Sequence, residues 1–203
     1  MIEEIKKIGK GDRYYLILDD GRKFALEAEI LAKYKLKSGE ELEENKLKEI
    51  LLANGDLSAF DRALTYLEKN IKTEKGIREY LKGKGFLDES IDKAVEKLNE
   101  YGYINDENFV DCYIRTYSNK KGKKLLKFEL LAKGVSQEII EEKLQNIDEK
   151  EQIEACKNLF EKYVRNKNID LKLKQKVYAY LFSKGFSSDV ITTVINNAKI
   201  EQI

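Results

Sequence analysis

Three stretches of this chain repeat one pattern, and an internal repeat constrains a fold more tightly than composition does. They read "YLKGKGFLDESIDKAVEKL" from Tyr80, "LLAKGVSQEIIEEKL" from Leu130 and "YLFSKGFSSDVITTVI" from Tyr180. Aligned on Gly85, Gly134 and Gly185 they need no gaps, and successive glycines stand 49 and 51 residues apart. A leucine lies four positions before each glycine (Leu81, Leu130, Leu181) and a lysine immediately before it (Lys84, Lys133, Lys184). An apolar residue follows at once (Phe86, Val135, Phe186), an acid after four (Glu89, Glu138, Asp189) and isoleucine after six (Ile91, Ile140, Ile191). Upstream, Ile77, Leu126 and Val177 share a register position, and so do Phe60, Phe109 and Phe160.

Spacing turns this pattern into structure. Apolar residues eight and four before the glycine fall on one helical face. Lysine followed by glycine suits a helix C-terminus, where the cation meets exposed carbonyls and glycine accepts the left-handed closing conformation. The acid then falls in the first turn of a second helix, at its positive end. Isoleucine and the apolar residue four later (Val95, Leu144, Ile195) face the core again. With the phenylalanine-bearing helix in front, each repeat has three helices, expected near 57–69, 73–84 and 88–101, then 106–119, 122–133 and 136–147, then 149–166, 170–184 and 188–200, and a longer helix fused across a unit boundary is also open. The expected class is mainly α: three tandem three-helix repeats forming an elongated, right-handed type of helical array.

The first 55 residues differ. "GDRYYLILDDGRKFAL" is rich in β-branched and aromatic residues around Asp20-Gly21, a hairpin signal. With Ile2–Ile8 as a further strand it predicts a small three-stranded antiparallel sheet. Ser38 followed by Glu41 reads as a capping box opening the helix "EELEENKLKEILLAN", which Gly55 is expected to end. The expected division is a small α+β domain over 1–55 and repeats over 56–105, 106–148 and 149–203.

Chemistry finds few tools in this sequence. It contains no histidine, the commonest general base and metal ligand. Cys112 and Cys156 are its only cysteines and are expected to be reduced, buried packing residues. The "GKG" at Gly9 and "GKGF" at Gly83 lack the rest of a phosphate-loop pattern and read as turns. No enzymatic activity, metal or cofactor is expected. No apolar run approaches the roughly 20 residues of a membrane span, and "IEEIKKIGKGD" has no signal-peptide character. A soluble, cytoplasmic chain is expected.

Charge is balanced in sum, at +1, but not in place. From Arg115 to Lys133 stand Arg115, Lys120, Lys121, Lys123, Lys124, Lys127 and Lys133 against Glu129 alone. From Lys157 to Lys184, eight bases that include Arg165, Lys167, Lys172 and Lys174 oppose Glu161 and Asp170. The last helices of the first two repeats are acidic instead (Asp88, Glu89, Asp92, Glu96, Glu100; Glu138, Glu141, Glu142). Stacked in register, such units present basic and acidic stripes; the plain alternative is a set of solvated faces. The basic-turn lysines are expected to be exposed, and Tyr113, Tyr117 and Phe128 to belong to the core.

"YGYINDENFVDCYIR" from Tyr101, followed by "KKGKKLLKFELLAKGVSQEIIEEKL", resembles the bacterial RecX family. That family shows Gly-hydrophobic-Ile-Asp/Asn-Asp-Glu-x-Phe, then Tyr-Ile/Val-Arg, then a basic turn with glycine and Glu-Leu-x-x-Lys-Gly. Gly102, Ile104, Asp106, Glu107, Phe109, Tyr113, Arg115, Gly122, Glu129, Leu130, Lys133 and Gly134 match in place, and the first repeat adds Thr73, Glu74, Arg78, Leu81, Lys84, Gly85 and Phe86. Asn70-Ile71-Lys72 and Lys123 depart from the pattern. The resemblance implies a regulator that lies along the RecA–single-stranded DNA filament and restrains its ATPase and strand exchange, in homologous recombination and the SOS response; the chain itself is expected to be a monomer. Partner-binding residues would then be Arg115, Lys120, Lys121, Lys123, Lys124, Lys127, Arg165, Lys167, Lys172 and Lys174, with no membrane partner. A helical-repeat protein binding single- or double-stranded DNA directly, and a helical scaffold, are the two other classes open to such a chain.

Overall fold

The computed structural model describes residues 1–165 and 171–200. They fall into two compact units, one from Met1 to Ile104 and the other from Asn105 onward.

The first unit opens with strands β1 (Ile2–Lys7), β2 (Arg13–Leu18) and β3 (Lys23–Glu27), paired antiparallel in that order. The hairpin closes at Asp20-Gly21, where Gly21 takes φ 83° and Arg22 accepts a bond from Leu18 N. Period-two burial puts Leu16, Leu18 and Leu26 on one face, against Ile30, Leu47 and Ile50. Ile30 belongs to α1 (Ala28–Tyr34), a short helix the sequence reading omits; no side chain caps its start, and Lys35 closes it at φ 52°.

A second departure is larger. Ser38 and Glu41 form no capping box: Ile2 exchanges backbone bonds with Glu40 and Gly39, which holds this segment beside the sheet instead. Nor does Gly55 end the following helix. α2 runs unbroken from Glu44 to Leu67, joining what reads as two helices. Its first half packs on the sheet through Leu47 and Ile50, and its second half on the first repeat through Ala59 and Ala63. Glycine inside a helix costs about 1 kcal/mol relative to alanine. Here it makes room for Ser90, whose Oγ donates to Leu52 O and Asp56 Oδ1 at 3.3 Å; a Cβ on Gly55 would lie inside Ser90. Gly55→Ala is therefore expected to destabilise the chain by about 1–3 kcal/mol through overpacking, against the stabilisation helix propensity alone predicts. Denaturant unfolding decides the sign.

α2 is followed by α3 (Glu74–Gly83) and α4 (Asp88–Glu100). The second unit contains α5 (Asp106–Tyr117), α6 (Lys123–Ala132) and α7 (Gln137–Gln145), then α8 (Glu149–Val164), α9 (Leu171–Ser183) and α10 (Ser188–Ile200). The repeat grammar appears as geometry. Gly85, Gly134 and Gly185 take φ 85°, 86° and 85°. In each case the next residue's N–H reaches back to the leucine carbonyl: Phe86 to Leu81, Val135 to Leu130, Phe186 to Leu181. This is the left-handed closing motif with its apolar latch. Ile91, Ile140 and Ile191 are buried at 2 %, 0 % and 0 % exposure, and Phe60, Phe109 and Phe160 each pack on their own repeat's cluster.

Candidate partner-binding surface

The basic turn lies between α5 and α6, and it is built from outside its own repeat. The N-cap of α6 is Gly122, which has no side chain to satisfy the first amides of the helix. α8 and α9 supply the acceptors instead. Gly122 N donates to Lys184 O at 2.8 Å, Lys123 N to Gln152 Oε1 at 3.1 Å and Lys124 N to Gly185 O at 3.2 Å. Lys123 Nζ adds a bond to Ile147 O at 2.7 Å, just past the end of α7, where a cation is favoured. The backbones approach so closely that a Cβ on Gly122 would overlap Gly185 O, and one on Gly185 would overlap Leu125 N.

Lys121 is also occupied. Its Nζ donates to Glu129 at 2.6 and 2.8 Å, Tyr113 Oη donates to the same carboxylate at 2.8 Å, and the ammonium lies 4.2 Å from the Tyr117 ring centroid. Lys121 and Glu129 are only 21 % and 27 % exposed. Burial opposes ionisation of Glu129, but the hydrogen bonds from Lys121 and Tyr113 outweigh it and hold the carboxyl below its ordinary value. Burial likewise opposes the charge on Lys121, and Glu129 and Tyr113 overcome it, raising the ammonium above its ordinary value. Tyr113 is raised by burial first and by its bond to Glu129 second.

The sign of the pH dependence follows. Glu129, depressed in the folded state, contributes stability that is present above its unfolded value of 4.5 and disappears as pH falls through the folded one. Lys121, raised, contributes stability present below 10.5 that disappears as pH climbs through its folded value. The gap in unfolding free energy between wild type and Glu129→Gln should thus be wide at pH 7 and narrow below pH 4.5. A constant gap down to pH 3 would refute the network.

Several sequence expectations need correction here. Lys121 and Lys123 are not free surface lysines; both are half-buried parts of the fold. Lys127 pairs with Glu141, and in the first repeat Arg78 pairs with Asp92 at the same register. The basic and acidic stripes thus meet partly within their own repeats. Phe128 is not core but 69 % exposed, whereas Tyr113 and Tyr117 are half-buried. Residues two apart do not share a helical face, so Leu126 and Leu130 at 0 % exposure already imply an outward Phe128. Cys156 is buried, and burial pushes its thiol up to about 12, but Cys112 is only half-buried, its Sγ 3.8 Å from Asn108 Oδ1.

Arg115, Lys120 and Lys124 remain exposed, and none is in an ion pair among the described residues. Lys124 Nζ lies 5.6 Å from the ring of Phe182, itself 51 % exposed. With Phe128 and Leu131 this makes a mixed cationic and apolar surface, a trait of binding faces. Cations in the first turn of α6 also oppose the helix dipole, so local helix stability does not account for them. Arg165 and Lys172 are exposed and Lys174 half-buried. Lys172 stands ten residues before Phe182 on α9, about 15 Å along the axis, so it is not part of the turn. Lys167 lies outside the described residues.

Fold and surface together define a tandem three-helix repeat protein whose distinctive chemistry is a cationic edge. No cluster of three or more metal-ligating side chains and no helix long and apolar enough to cross a membrane occurs among the described residues. Family models for the first, second and third three-helix domains of RecX match residues 59–98, 105–144 and 149–195. The chain belongs to the RecX family of regulatory proteins. It is 36 % identical over 196 residues to the regulatory protein RecX of Clostridium beijerinckii, covering 95 % of this chain and 92 % of that one. Against the Bacillus subtilis regulatory protein RecX it is 33 % identical, covering 94 % of this chain and 74 % of the other. A crystal structure of a regulatory protein RecX superposes with a TM-score of 0.66 at 29 % identity, covering 96 % and 98 % of the two chains. RecX from Lactobacillus salivarius gives 0.65 at 30 % identity, over 73 % of this chain and 99 % of that one.

Proposed function

We propose that this chain is a cytoplasmic, non-enzymatic regulator that binds the RecA–single-stranded DNA filament and restrains its ATPase and strand exchange. The contact is made by Lys124 with the neighbouring Phe182 and with Phe128 one turn along α6, and by the exposed Lys120 and Arg115, the latter beside α8; Arg165 and Lys172 carry further exposed charge. The observation that supports this reading is the contrast within one turn. Lys121 and Lys123 are consumed in holding the backbone in place, while Arg115, Lys120 and Lys124 are exposed and outside every ion pair among the described residues. A rigid array of weak charged contacts gains from acting together on a repeating filament, because each later contact forms at high effective concentration.

The test is binding at moderate salt to single-stranded DNA alone and to the same DNA coated with RecA, with RecA ATPase measured in parallel. A regulator binds the coated DNA more tightly and slows hydrolysis. Equal affinity for bare DNA would instead establish the direct nucleic-acid reading, and binding to neither would leave a scaffold.

A further inference from the structure

The first unit contains a cleft of about 420 Å³ between the sheet, α2 and the turn that closes α3. That is within the usual range for a small-ligand site, roughly 300–1,000 Å³. Four cations line it, each from a different element: Arg13 from β2, Lys23 from β3, Arg62 from α2 and Lys84 from the end of α3. Glu27 is the only acid in its wall among the described residues. Among the described residues none of the four bases is in an ion pair, although other surface bases of this unit are, such as Arg22 with Asp20 and Glu44, and Arg78 with Glu74 and Asp92. Four like charges gathered around one concavity repel each other, with Glu27 the one lining carboxylate among the described residues to offset them and Asp12, Glu29 and Asp61 bordering only the far side of Arg62.

Aromatic rings accompany the charge. Lys23 Nζ stands 3.7 Å from the centroid of Tyr15, and Lys84 Nζ 5.4 Å from that of Tyr80; both tyrosines line the cleft. The walls are firmly built. Asn54, 6 % exposed, accepts from Glu27 N at 2.8 Å and donates to Ala25 O at 3.3 Å, tying α2 to β3, and Tyr80 is stacked on Tyr66 at 3.9 Å between centroids.

We infer that this cleft binds a phosphate ester joined to a flat ring, that is, one nucleotide unit, either free or as part of a single-stranded nucleic acid. Arginine forks and lysine ammonium groups suit phosphate oxygens, and tyrosine faces suit a base. A base reaching these rings would take the place of Lys23 on Tyr15 and of Lys84 on Tyr80 and turn both ammonium groups toward its own phosphate, a gain an acidic peptide does not have. The inference does not rest on RecA, because cleft and basic turn belong to separate units and can be altered independently.

The experiment uses the full chain carrying Arg115→Glu, Lys120→Glu and Lys124→Glu, so that the second unit's cationic edge does not contribute. Binding of a fluorescent oligo-dT, of ATP, of pyrophosphate and of a poly-glutamate peptide is measured by anisotropy or calorimetry. Lys23→Gln/Lys84→Gln, at two exposed positions, should leave the melting temperature unchanged, weaken the nucleotide ligand about tenfold, and flatten its salt dependence by about 0.7 per lost phosphate contact for a single strand. Arg13→Gln/Arg62→Gln should do the same. Competition by ATP identifies a free nucleotide as the ligand, and binding of oligo-dT without competition by ATP identifies the polymer. Equal binding by wild-type and altered clefts, or binding of poly-glutamate in preference to both nucleotide ligands, would overturn the proposal.

Discussion

Gly185→Ala is expected to lower stability by about 2–5 kcal/mol, and Gly85→Ala by only about 1–2. Both glycines end a middle helix at φ 85°, so both substitutions incur the left-handed penalty of roughly 1–2 kcal/mol. Beyond that they differ. Nothing lies within 4 Å of a Cβ built on Gly85, whereas one on Gly185 would overlap the backbone of Leu125. Relief there means moving α9 away from α6, which strips acceptors from Gly122 N and Lys124 N. Overpacking adds about 1–3 kcal/mol, at about 2–4 °C of melting temperature per kcal/mol. Gly122→Ala probes the same contact from the opposite side without the left-handed term. Equal losses for Gly85→Ala and Gly185→Ala would show that the α6–α9 contact adds nothing.

Reversing Arg115, Lys120 and Lys124 to glutamate should abolish inhibition of RecA-driven strand exchange while leaving the melting temperature unchanged. The three side chains are exposed and outside every ion pair described, and surface substitutions of this kind usually change stability by within about 0.5 kcal/mol each. Each attractive contact with an acidic or phosphate partner becomes repulsive, so the loss of binding is large. Inhibition by the wild type should also fade with rising salt, since exposed charges are screened beyond about 10 Å at 0.1 M. Lys121→Glu is the contrasting variant: it places an acid against Glu129 in a half-buried site and should unfold the turn. A triple variant that folds and inhibits like wild type would remove this surface from the proposed function.

The linear order of this chain suffices for everything that depends on neighbours a few residues away. Helical period, the closing glycines at 85, 134 and 185, the acids in the following first turns and the Asp20-Gly21 hairpin are all local. Each is set by backbone sterics and by contacts within a turn or two. The same locality made the RecX resemblance readable, because its motifs are runs of adjacent residues. Gly55 shows where that ends. As a local signal it stops a helix, but Ser90, 35 positions away, occupies the space its missing side chain leaves, and the helix continues. The basic turn divides in the same manner. Six cations between Arg115 and Lys127 look alike in sequence, and only packing distinguishes them. Ile147 and Gln152 take Lys123, Glu129 takes Lys121 and Glu141 takes Lys127, leaving Arg115, Lys120 and Lys124 outward. The cleft of the first unit draws its four bases from positions 13, 23, 62 and 84, which no spacing rule connects. Which charges are consumed and which remain available is decided by long-range contacts, because neutralisation depends on distances of a few ångströms that only the folded chain sets.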